Sequence, residues 1–108
     1  MIPRFSIKRQ LKTKEMETKI PQTKQEAFAL LDEMLSEKDK SELVKSDPID
    51  YHFSLGMWIR NNWIYEQEEE DVKRLAKAFR IEMLFFDADG LSEKIIEYYQ
   101  RYLKRKGL

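Results

Sequence analysis

The chain has one histidine and two tryptophans, and all three fall between His52 and Trp63 beside an arginine and two asparagines. In a helix, His52, Gly56 and Arg60 are successive i+4 neighbours, so they form one ridge with an imidazole at one end and a guanidinium at the other. The middle of that ridge has no side chain. A glycine inside a helix costs about 0.5–1 kcal/mol against alanine, so its presence there points to another backbone or a ligand coming close. Two readings of the ridge stay open. In the first, a helix crosses at Gly56, His52 bonds a carbonyl, and Arg60 pairs with Asp87 or Asp89. In the second, Arg60, His52 and the amides of Asn61 or Asn62 converge on a small anion or on a partner's carboxylate, with Trp63, Asp87, Asp89 and Ser92 completing the candidate binding set.

Other chemistry is less well provided for. One histidine with scattered carboxylates lacks the spacing of a metal site, and no metal or other cofactor is expected. Ser54 or Ser92 could be grouped with His52 and an aspartate, but no nucleophile elbow or Gly-rich oxyanion loop accompanies them, so no catalytic residue is assigned. Three glycines in total leave no phosphate-cradling loop.

The elements that must hold the ridge can be read from periodicity. Thr23-Lys24-Gln25-Glu26 is a capping box, and Ala27, Phe28, Leu31, Met34 and Leu35 give the helix after it one apolar face. Ser36-Glu37-Lys38-Asp39 opens a short polar helix with Leu43 and Val44 as its apolar content. Asp47-Pro48 starts a third helix, expected to end near Asn61-Asn62; apolar residues all around it mark a central rod enclosed by others. Glu66–Asp71 is a loop or helix start, and Val72, Leu75, Ala76 and Phe79 form the next amphipathic face. Met83–Phe86 reads as a buried segment entering an Asp87–Gly90 turn. The last helix is expected from Leu91 or Ser92 to Arg105, with Ile95, Tyr98 or Tyr99, Tyr102 and Leu103 inward and Gly107 as its cap. Tyr98, Tyr99 and Tyr102 read as core and interface residues; Arg101–Lys106 mixes bases and an aromatic, which could touch nucleic acid or another acidic surface, but reads first as the positive finish of a helix.

The stretch His52–Trp63 resembles the core motif of a family of small bacterial proteins of unknown function, His-x-x-Leu-Gly-x-Trp-Ile-Arg-Asn-Asn-Trp. The resemblance covers roughly residues 21–104. Where that family has His-Pro-Asp-Asp-Met-Ser, this chain has Asp87-Ala88-Asp89-Gly90-Leu91-Ser92. A role for the second histidine therefore does not carry over, whereas Asp89 and Ser92 do. No activity comes with the resemblance.

At 108 residues the chain suits one compact domain, residues 23–108, preceded by a basic extended arm, residues 1–22. The expected fold is all-α: an irregular or orthogonal bundle of four main helices and one short one. Twenty basic and twenty acidic residues cancel, so no net field draws the chain to nucleic acid or an anionic membrane. The ends are basic and the middle acidic, which suits charge complementarity within the fold or between neighbouring molecules. No apolar run nears the ~20 residues that span a bilayer, and the absence of cysteine excludes a disulfide framework. A cytoplasmic protein is expected.

The leading functional expectation is a protein-binding or self-associating domain, working through surface beside the His52–Trp63 ridge. The alternatives are a hydrolase or transferase with His52 as base, and a nucleic-acid accessory protein using its basic ends. A buried Arg60 paired with aspartate favours the binding module; an open pocket with His52 and Asp89 in hydrogen-bond reach favours the enzyme.

Overall fold

The structure, a computed structural model, describes residues 20–81 and 87–107. The expected arm, up to residue 19, and the Met83–Phe86 segment lie outside the described residues. Five helices and no strand are found among the described residues, which is the all-α bundle the periodicity called for.

Helix α1 is Lys24–Met34 and α2 is Glu37–Lys45. The Thr23 hydroxyl accepts from the Glu26 N–H at 3.1 Å, as the capping box requires, but the Glu26 carboxylate takes the N–H of Gln22 in place of Thr23. The box at Ser36 closes in both directions through Asp39. All five apolar residues expected on the face of α1 are buried, as is Leu43 on α2.

Helix α3 is residues 48–64, and it is not a uniform α-helix. It winds as a 3-10 turn (Pro48–Tyr51), a π turn (His52–Gly56), an α turn (Met57–Ile59) and a second π turn (Arg60–Ile64). The Tyr65 N–H closes it on the Arg60 carbonyl, five residues back, at 2.8 Å. Burial along it repeats every four residues: Tyr51, Leu55, Ile59 and Trp63 are buried. In an α-helix such a row would turn about 40° around the axis at each step, so about 120° from Tyr51 to Trp63. The wide i+5 turns rotate it the other way and keep it on one side. Consequently the rod is not enclosed all round, as its composition suggested. Ile49, Phe53, Met57 and Asn61 make an exposed row, continued by exposed Tyr65.

Helix α4 is Glu69–Ala78, with Val72, Leu75, Ala76 and Phe79 in the core. It ends in a Schellman pair: Ile81 N–H to the Ala76 carbonyl at 2.9 Å and Arg80 N–H to that of Lys77 at 3.0 Å, with Arg80 at φ 63°. Helix α5 is Ala88–Arg105. It starts three or four residues before the expected Leu91 or Ser92, because Asp87 caps it by accepting from the Gly90 N–H, making 88–90 its first turn in place of a free turn. At its other end Gly107 holds φ 95°, the left-handed conformation that ends a helix. Buried Gln100, a polar residue of which its own periodicity gave no warning, donates to the Leu43 and Ser46 carbonyls at 2.9 and 2.7 Å and so satisfies the end of α2.

Candidate functional site

The ridge on α3 is where the spacing put it, but its middle is filled from within. The Arg60 side chain, 5% exposed, folds back along α3. Its Nη2 donates to the His52 carbonyl at 2.9 Å and its Nη1 to Ser92 Oγ on α5 at 3.0 Å. Its Nε lies 3.5 Å from Asp89 Oδ1. Ser92 Oγ in turn donates to the Asp89 carbonyl at 3.0 Å. One guanidinium thus joins the first π turn of α3 to the first turn of α5, each of its nitrogens facing an acceptor.

Gly56 is explained by that arrangement. A Cβ there would lie 3.1 Å from Arg60 Nη1 and 3.1 Å from the Tyr51 carbonyl oxygen, with Ile96 Cδ1 of α5 at 3.8 Å. The space a side chain would occupy is taken by the arginine four residues on and, equally closely, by the Tyr51 carbonyl, and α5 only adds to it.

The other candidate residues divide. His52 reaches Arg60 through its main chain; its ring stands edge-on to Phe53 at 4.6 Å, and no other described residue hydrogen-bonds the imidazole. Asn61 points to solvent in the exposed row. The Asn62 amide donates to the Trp58 carbonyl at 2.8 Å. Trp63 is fully buried, edge-on to Trp58 at 5.5 Å, and its indole N–H has no acceptor among the described residues. Asp87 is spent on the α5 cap. Arg60, Asp89, Ser92, Gly56 and the His52 carbonyl are therefore brought together, whereas the two asparagines, the imidazole and Asp87 do not converge with them. Among the described residues no group of three or more histidines and acids could hold a metal ion.

A family model, Domain of unknown function (DUF6794), matches residues 20–103, a span that takes in α1 to α4 and nearly all of α5. The chain belongs to this family. The DUF6794 span begins where the described residues begin and includes both halves of the Arg60 junction. No curated protein and no solved structure matches the chain. No helix of the described DUF6794 fold is long and apolar enough to cross a membrane.

One feature escaped the sequence reading and a second was seen only at its C-terminal end, Arg101–Lys106. The first is the exposed apolar row on α3, visible only as a period of four inside a helix expected to turn every 3.6 residues. The second is a basic groove between α1 and α5. Its sequence trace is Tyr98, Arg101, Tyr102, Arg105 and Lys106 at i, i+3, i+4, i+7 and i+8, one face mixing rings and cations. Beneath it, Asp32 accepts from the Tyr99 and Tyr102 hydroxyls at 2.7 and 2.6 Å. Burial first, and the bond to Asp32 second, push the Tyr99 hydroxyl far above its usual pKa, keeping it a donor.

Proposed function

We propose that residues 23–108 act as a protein-binding domain, that its contact surface is the row Ile49, Phe53 and Met57, and that the partner is a second copy of the chain in the cytoplasm. The observation that carries this reading is the row itself. Ile49 and Phe53 are 59% and 61% exposed on a rod whose opposite row is fully inside the core. Large apolar side chains grouped on one ridge are what an interface anchors on, whereas scattered ones are ordinary surface.

The charges around the row select the partner. Asp47 and Asp50 at its head are exposed and in no ion pair among the described residues, and the only basic side chain in 46–59 is His52. A segment that sets apolar residues among bases complements such a surface. Residues 1–19 have that chemistry: Arg4, Lys8, Arg9, Lys12, Lys14 and Lys19 against Glu15 and Glu17, with Ile2, Phe5, Ile7 and Leu11. The state of Arg60 also favours binding over catalysis. Asp89 faces the guanidinium, so it is not orienting His52 as a general base, and the guanidinium has no free edge for a substrate anion.

Sedimentation velocity over a concentration series tests this. The wild-type chain should associate, and Phe53→Asp and Phe5→Asp should each be monomeric with an unchanged circular dichroism spectrum. A wild-type chain that stays monomeric throughout, or a Phe53→Asp chain that associates as before, overturns the proposal.

A further inference from the structure

The groove between α1 and α5 has a volume of about 730 Å³ and is lined by Lys24, Arg80, Arg101, Arg105 and Lys106, from three different parts of the chain. None of these five is within ion-pair distance of a carboxylate of any described residue. Asp32 is the one acid in the lining, and it is already engaged. Its two oxygens accept from Tyr99 and Tyr102, and Lys40 Nζ stands 3.7 Å from Oδ1. Five cations around one engaged carboxylate make the groove a positive patch, which favours an anion.

The cations are also held in place. Lys24 Nζ and the Arg101 guanidinium both lie over the Tyr98 ring, 5.0 and 5.2 Å from its centre, and Lys106 Nζ donates to the Tyr102 hydroxyl at 3.1 Å. Such contacts fix where long side chains end, so less freedom is lost when a ligand arrives. Arg80 is delivered to the same groove by the left-handed turn that ends α4.

We propose that this groove binds a small polyanion of the phosphate class, one molecule bearing several phosphoryl charges. A single carboxylate would leave most of the five cations unpaired, whereas clustered phosphoryl oxygens meet several at once, with the arginines engaging them bidentately. The volume falls in the range that encloses small ligands, about 300–1,000 Å³. Nucleic acid fits less well, because the rings are occupied. Tyr98 carries two cations and packs on Phe79, and Tyr102 stacks on Phe28 at 4.6 Å, so both rings already have partners with which a stacking base would compete.

The test is isothermal titration of the full chain with inorganic tripolyphosphate at about 50 mM salt, where electrostatic binding is strong. Wild type should bind saturably, one anion per chain. Arg101→Gln and Arg105→Gln, both at exposed positions, should each weaken binding about tenfold or more, the loss expected for one charge-assisted contact. Lys73→Gln, outside the groove, should bind as wild type does. Absence of binding, equal affinity in all four proteins, citrate binding as tightly as tripolyphosphate, or a single-stranded oligonucleotide binding more tightly would each overturn the proposal.

Discussion

Nη1 of Arg60 lies where the Cβ of residue 56 would be crowded, 3.1 Å from that position, and the Tyr51 carbonyl lies equally close on another side. Glycine and arginine are thus one structural unit. Gly56→Ala should destabilise the fold by up to about 2.5 kcal/mol: overpacking costs about 1–3 kcal/mol, and the gain in helix propensity returns about 0.5–1 kcal/mol. In an Arg60→Ala background one of the two obstructions is gone, so the same substitution should cost less. Urea unfolding of the four proteins of that cycle measures the coupling; strict additivity would mean that the guanidinium is not what keeps residue 56 bare.

Arg60 and Asp89 should respond very unequally. Removing the guanidinium in Arg60→Ala loses a buried charge-assisted bond to Ser92, a second to the His52 carbonyl, and the packing of the side chain. A loss of about 3 kcal/mol is expected. Asp89 is 68% exposed and 3.5 Å from Nε, so water stands in for much of the pair, and Asp89→Asn should cost about 1 kcal/mol at most. Equal losses in the two variants, read from denaturation midpoints, would show that the ion pair and not the hydrogen bonds holds α3 to α5.

Tyr99 sets an alkaline limit. Its hydroxyl is buried against Asp32 and its pKa is raised above the ordinary value of 10.0. Above pH 10 the unfolded chain releases this proton while the folded chain keeps it. The stabilisation is therefore complete below pH 10 and is lost as pH rises, at about 1.4 kcal/mol per pH unit. Tyr99→Phe should be less stable than wild type at neutral pH by about 1 kcal/mol, the worth of the bond to Asp32. Between pH 10 and 11.5 that gap should close. Parallel stability curves for the two proteins would sink the assignment.

Much of the helical plan was legible because the signals are local. The Ser36 box, Pro48 at the start of a helix and Gly107 at the end of one act within four residues, and the faces of α1 and α4 follow from 3.6-residue spacing. The winding of α3 was not legible. A period of four looks like apolar residues all around when an α-helix is assumed, and the packing of α5 against the wide turns, with the Arg60 bond to the His52 carbonyl, leaves no local signal. The start of α5 was misplaced for a smaller reason: Asp87-Ala88-Asp89-Gly90 is also a good turn sequence, and only the continuing helix makes Asp87 a cap.

By itself, then, the sequence determined the number and kind of elements, the core faces of α1 and α4, and the alignment of His52, Gly56 and Arg60 on one ridge. Tertiary structure decided what those residues do. Ser92 is 32 positions from Arg60, Leu43 is 57 from Gln100, and Asp32 is 70 from Tyr102; partners so distant leave no periodic trace in the chain. A guanidinium binds whichever acceptor the fold brings nearest. Here α5 brings Ser92 and Asp89 to Arg60, in keeping with the reading that paired the arginine with an aspartate, while cations in no ion pair among the described residues gather along a groove to which α1, the turn after α4 and α5 each contribute.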